Sequence, residues 1–238
     1  MRKLSLRLLL LSLLSSTFLY AEQQPIRLGA NIGYGYNYTW SNYAWVDVAA
    51  SIPLNTYFEM DALAQLNIAN IYTVSLDMRP KFPVKTGELF LDTKLLYRAV
   101  ARNRLHDFTG GISLGYRMDY VSVQVGIAGR LMEAMHADWH SEHVIDFEPT
   151  VLYGLEVFVR PQASRWNLSF AVANFDRYQM ERFFQPLFMV NGRVDLNPRV
   201  RLNMGVECKP TGMFHLNASF YGIHAFFGVS FAIGNNSK

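Results

Sequence analysis

The segment EAMHADWHSEH, residues 133–143, gathers the side chains of this chain that are best suited to chemistry. Three histidines, His136, His140 and His143, are interspersed there with acidic residues. Imidazole nitrogens and carboxylate oxygens are the ligands that zinc and other transition metals prefer. We therefore treat the three histidines as candidate metal ligands. A solvated loop, or a loop whose charge follows pH, is the alternative interpretation.

The elements that position this segment are β-strands. In IRLGANIGYGYNYTW, residues 26–40, every second residue from Ile26 to Trp40 is aliphatic or aromatic. The positions between them include the polar residues Arg27, Asn31 and Asn37. Only a strand places alternate side chains on opposite faces. A run of this length exceeds the usual strand of a globular protein. The alternation therefore predicts one apolar and one polar face.

The same alternation recurs along the chain and predicts about twelve strands, within a range of about 10–14. After 26–40, the alternating segments are 44–52, 58–66, 72–78, 89–99, 108–118, 121–131, 145–159, 166–172, 184–194, 200–208 and 214–233. The last segment changes phase around Gly222, where a β-bulge keeps one strand and a tight turn would make two. We prefer the bulge because single-chain bacterial barrels favour an even number of strands.

Residues 1–21 are expected to be a signal peptide and residues 22–238 a single domain. Arg2, Lys3 and Arg7 precede a short apolar run, and Ala21 is a small residue suited to cleavage. Without those three basic residues the chain has as many acidic as basic side chains, so a basic surface for nucleic acid is excluded. Cys208 is the only cysteine, which excludes an intramolecular disulfide.

Three features favour an all-β, antiparallel transmembrane β-barrel over a soluble sandwich or a lipocalin-like barrel. The chain has no apolar run long enough for a membrane helix, but its strands are long enough to cross while tilted. The polar face carries many charges, which are costly in a dry core. Connections also alternate in length: short ones were assigned to Pro53, Pro80, Pro83, 118–120, Pro161 and Pro198, and longer ones to 101–107, 132–144 and 174–183.

The carboxyl end adds a resemblance. Gly228, Phe231 and Ile233 resemble the glycine and alternating hydrophobic positions of the signal that the barrel assembly machinery reads. Residues 22–233 as a whole resemble bacterial outer-membrane β-barrel proteins as a broad class. The resemblance implies an exported protein of the bacterial outer membrane, surrounded by lipid and lipopolysaccharide and inserted by that machinery. The oligomeric state stays open.

If the apolar face meets lipid, the polar face lines the lumen. Basic and acidic residues are almost balanced there, which leaves two interpretations: a narrow wet channel, or salt bridges that close the interior. Loops of about a dozen residues at most are expected to be too short for a deep plug. The predicted lumen-lining residues are Arg27, Asp47, Glu59, Asp61, Asp77, Arg79, Lys94, Arg98, Arg117, Arg130, Glu148, Glu156 and Arg193.

The sequence gives little support to the known types of barrel enzyme. No His-x-Ser pair of the outer-membrane phospholipase kind occurs. Asp138 and His140, with Asp146 and Glu148, resemble the omptin-like proteases only loosely, and the strand count does not fit. We therefore expect no enzyme and no cofactor. A passive channel for small polar solutes is the favoured function, a closed structural or adhesin-type barrel acting through its outer loops is the alternative, and a barrel enzyme ranks third.

Overall fold

The computed structural model describes residues 25–234 except 38–40, 69, 101–104, 136–142, 179, 182 and 210–221. Its strands are β1 (Ile26–Asn37), β2 (Ser41–Asn55), β3 (Phe58–Asn67), β4 (Ile71–Val84), β5 (Gly87–Val100), β6 (Leu105–Arg117), β7 (Val121–Met135), β8 (His143–Phe158), β9 (Trp166–Ala173), β10 (Leu187–Asp195), β11 (Val200–Cys208) and β12 (Ile223–Ile233). Among the described residues, no helix combines the length and the apolar character needed to span a bilayer.

The strands form one closed antiparallel barrel in which every strand pairs with its sequence neighbours. β1 and β12 close the ring, with Ile26 opposite Ile233 and Tyr36 opposite Ile223. Closure leaves no sheet edge along most of the wall, which is the condition for strands to stand in lipid. The predicted fold class and the predicted number of strands are confirmed.

The apolar face points outward, as expected for a transmembrane barrel. Ile32 and Ile127 keep 63% and 64% of their surface exposed, while Asn31 and Ala128 beside them are buried. In a soluble protein so many exposed aliphatic side chains would be unfavourable, but in a bilayer the outer band needs this composition. The polar face therefore forms the barrel interior.

Strand ends differ from the prediction at several points. Pro53, Pro80 and Pro83 lie inside β2 and β4, and the connections they were assigned to shrink to 56–57 and 85–86. Prolines are tolerated there because they lie near strand ends, and the β2–β3 register shifts just after Pro53. β10 begins at Leu187 instead of 184, and the proposed bulge near Gly222 adjoins residues outside the described ones.

β8 extends well beyond the end of its neighbour β9 on the side of the longer connections. It pairs with β7 along its length, but with β9 only from Gly154 to Phe158. Asn174 takes over where β9 stops: its side-chain amide donates to the Val151 carbonyl and its carbonyl oxygen accepts from the Tyr153 amide. Pro149 follows on the same edge of the strand and has no N–H to leave unpaired. The chain beyond Asn174 is thereby directed away from the wall.

Candidate functional site

The predicted lumen residues occupy inward-facing positions, but their surroundings differ between the two ends of the barrel. Near the short connections 56–57, 85–86, 118–120 and 196–199 they are partly exposed, as for Arg27, Asp61 and Arg193. Towards the longer connections most of them are buried, as for Asp47 and Arg98 at 2% and 3% exposure, and Glu148 stays partly exposed. We call these the wet half and the dry half of the lumen.

Ion pairs line the wet half. Arg79 pairs with Asp92 at 3.3 Å and Arg117 with Glu88 at 3.5 Å, and both guanidinium groups lie over the ring of Phe90. Other wet-half contacts are Lys81 with Glu59, Arg201 with Asp195, Ser169 with Glu156, Arg193 with the carbonyl of Gln162 and Arg27 with the carbonyl of Pro198.

One carboxylate organises part of the dry half. Asp107 accepts hydrogen bonds from Arg98 at 2.5 Å and from two nitrogens of Arg130 at 2.7 and 3.0 Å. Asp107 itself is 1% exposed. Two guanidinium groups held on one buried carboxylate form a rigid, charge-assisted network. Arg98 and Arg130 therefore serve as wall structure here, and Glu148 lies opposite Arg130 on β8.

The connection between β9 and β10 folds into the lumen as a hairpin. We call its described residues, 174–178, 180, 181 and 183–186, the inner hairpin. Its arms meet at an antiparallel bridge between Phe175 and Met180, and both side chains are buried. Further along, Phe183 turns back to the outside and stacks edge-on against Tyr153, with ring centroids 5.4 Å apart. The expectation that the loops are too short to form a deep plug is wrong for this segment.

Polar contacts hold the inner hairpin to three parts of the wall. Lys94 on β5 donates to the backbone carbonyl of Asp176 at 2.7 Å, and pairs with Asp77 at 3.5 Å. The Tyr178 hydroxyl donates to Asp47 on β2 at 2.8 Å. Glu181 forms a buried salt bridge with Lys209, directly after β11. Since β2 lies almost across the barrel from β9, the hairpin spans the lumen.

Aromatic rings surround the hairpin tip. The rings of Trp45 and Tyr178 have centroids 5.1 Å apart, and His224 meets Trp45 edge-on at 5.6 Å. A Cβ atom at Gly33 would lie 2.1 Å from the Trp45 indole, so only glycine leaves room for the ring in this position. Phe226 completes the cluster, with its ring centroid 6.2 Å from that of Trp45.

The candidate metal ligands fall outside what the structure describes. His136 and His140 lie outside the described residues, as does the side chain of His143. In the part of the chain that the structure describes, no group of three or more His, Cys, Asp or Glu side chains is arranged to hold a metal ion.

Sequence reasoning missed Tyr178, Glu181 and Lys209, the residues that anchor the inner hairpin. The segment that contains Tyr178 and Glu181 is predicted to be an outer loop because it interrupts the strand alternation, and Lys209 directly follows the predicted strand 200–208. One signal was present: 174–185 mixes aromatic and charged residues in a way that suits neither lipid nor a freely solvated loop.

The fold is that of bacterial outer-membrane β-barrels. The chain is similar to the KdgM porin, with 5% identity over 87% of this chain and 99% of that one and a TM-score of 0.51. The NanC porin matches with 8% identity, 87% and 100% coverage and a TM-score of 0.52. The translocator domain of the autotransporter NalP from Neisseria meningitidis matches with 12% identity, 97% and 96% coverage and a TM-score of 0.54.

No protein-family model matches the sequence. No curated protein matches it either. Porins and an autotransporter domain share this architecture, so the fold defines the class and leaves the activity to the lumen.

Proposed function

We propose that the chain is a passive channel for small polar solutes in the outer membrane, and that the inner hairpin sets the width of its lumen. The observation that carries the proposal is the way the hairpin is held. Among the described residues, hydrogen bonds, a buried salt bridge and ring contacts attach it to the wall. Such contacts can exchange for water, so the hairpin can narrow the lumen without sealing it permanently.

The wet half supports the same proposal. Several of its charged side chains form pairs of opposite sign, and most of them remain partly exposed, which suits a vestibule filled with water. Because the pairs cancel most of each other's field, we expect weak selectivity between small anions and cations in this half. The dry half is where discrimination between solutes is expected.

A closed barrel that acts through its outer loops is the second candidate. The burial of the dry half favours it: Asp107, Glu181 and Lys209 are each 5% exposed or less. A lumen filled to this extent conducts only if the hairpin moves. The two candidates therefore differ in one observable, the current through a folded barrel.

The experiment is single-channel recording of the refolded mature chain in a planar bilayer under a salt gradient. A second protein carries a Gly-Ser replacement of residues 175–181, with Asn174 retained because it completes the β8 edge. We expect stable steps from the wild type and larger steps from the replacement. Heat-modifiable migration on a gel serves as the folding control. Silence from both folded proteins would favour the closed barrel.

The proposal extends to the surroundings of the chain. The exposed apolar band supports contact with lipid and lipopolysaccharide, and Phe231 and Ile233 on β12 support recognition by the barrel assembly machinery. We also propose cleavage near Ala21 and no catalytic reaction. Mass spectrometry of the protein isolated from outer membranes would identify the mature amino terminus.

A further inference from the structure

The wall around the hairpin tip forms a pocket whose chemistry is complementary to that tip. We call it the tip pocket. Rings and carboxylates alternate in it, and all are buried except the partly exposed Phe226. Its wall residues are Tyr43, Trp45, Asp47, Glu207, His224 and Phe226.

The aromatic side of the tip pocket is shaped to receive a flat ring. Trp45 presents its indole to the Tyr178 ring at 57° between planes, and His224 lies edge-on to both rings. Besides Gly33, which leaves space for the indole, Gly205 leaves space for Phe226: a Cβ atom there would lie 2.4 Å from the Phe226 ring. Glycines on β1 and β11 thus leave the space in which the Trp45 and Phe226 rings lie.

The acidic side of the tip pocket draws positive charge from the hairpin. Arg177 directly precedes Tyr178, so the hairpin carries a positive charge next to this side of the pocket. The nearby wall cation Lys94 is already engaged with Asp77. Glu207 lies 3.5 Å from the His224 imidazole, so a buried carboxylate and an aromatic ring adjoin in the wall. Without the tip, the wall would present buried carboxylates beside aromatic faces, a combination that favours a cation.

We propose that the tip pocket is a binding site for an organic cation that carries an aromatic ring, and that Tyr178 occupies its ring position in the resting barrel. The proposal deepens the channel function proposed above and rests on it, because the ligand reaches the pocket through the lumen. Tyr178 supplies the ring and the hydroxyl that donates to Asp47. A ligand with a ring and a positive charge can replace the ring contact and place its charge beside the buried carboxylates of Asp47 and Glu207.

Tyramine is a suitable probe because it joins a phenol ring to an ammonium group. Its binding is measured by calorimetry on the refolded barrel in detergent, so the result does not depend on conductance. 4-Hydroxyphenylacetate has the same ring with the opposite charge, and ethylammonium has the charge without the ring. We expect Tyr178→Ala to bind tyramine roughly tenfold more tightly than the wild type, because the ring position is vacated.

Two comparisons separate this site from an ordinary cavity. In Tyr178→Ala, tyramine should bind at least about tenfold more tightly than either control compound, and adding Asp47→Asn should remove its advantage over 4-hydroxyphenylacetate. Tyr178→Phe loses only the hydroxyl that donates to Asp47, so its ring leaves the pocket more often than in the wild type, and it tests the same site if the alanine variant does not fold. Tyr34→Ala, on the lipid-facing surface, is the matched control and should leave binding unchanged.

Equal binding of tyramine and 4-hydroxyphenylacetate, or absence of binding to every folded variant, would overturn the site. Binding by a barrel that carries no current would instead retain the site and reject the channel. Current without binding would retain the channel and reject the site.

Discussion

The hydrogen bond between Tyr178 and Asp47 should control how often the inner hairpin leaves the lumen. Tyr178→Phe keeps the ring against Trp45 and removes only the hydroxyl that donates to Asp47 at 2.8 Å. A hydrogen bond to a charged group contributes about 1.5–3 kcal/mol. Asn31 still donates to the other oxygen of Asp47 at 2.6 Å, so the carboxylate keeps one partner and the lower part of that range applies.

A loss of about 1.5–2 kcal/mol corresponds to a change of roughly ten- to thirtyfold in the ratio of docked to undocked hairpin. Dwell times in single-channel records measure this ratio directly. We expect the ratio of open to closed dwell time to rise by that factor in Tyr178→Phe relative to the wild type, with the conductance of the open level unchanged. Tyr34→Phe, which alters an exposed tyrosine on the outer face, is the matched control. A dwell-time ratio equal to that of the wild type would refute the assignment of Tyr178 as the anchor.

Three further predictions concern pH, packing and charge. Burial and the neighbouring Asp47 raise the pKa of Tyr178 well above its ordinary value of 10 in the docked hairpin, so docking keeps the phenol neutral. The population of the docked state should therefore fall about tenfold for each pH unit above about 10. Single-channel records of the wild type should show longer open times at alkaline pH, and records of Tyr178→Phe should change less. Gly115→Ala should lower the free energy of unfolding in urea by about 1–3 kcal/mol, because the new Cβ atom would lie 2.1 Å from the Phe90 ring. Gly110→Ala is the control: its Cβ atom would make only ordinary contacts, so the free energy of unfolding should change little. Asp107→Asn should lower the free energy of unfolding by about 3–5 kcal/mol in the same assay, because the buried guanidinium groups of Arg98 and Arg130 lose their counter-charge. An unchanged urea midpoint would show that these groups do not depend on Asp107.

The inner hairpin illustrates what sequence patterns miss. Alternation reports only the two faces of a strand, and residues 174–186 have no alternation to read. Their position depends on contacts with residues far away in the sequence, such as Asp47 on β2 and Lys94 on β5. The same holds for Asp107, which is one acidic residue among many in the sequence. It becomes the centre of a network only because the barrel brings Arg98 and Arg130 to it.

By itself, the sequence determined the class of fold, the number of strands and the face of each strand. These properties are local, because the side-chain period of two is a property of every strand and the long apolar face can be satisfied by lipid. Only the tertiary structure decided which lumen charges are neutralised, which half of the lumen is dry and which segment fills it. Those outcomes depend on distances between side chains on different strands, and closing the barrel is what sets such distances.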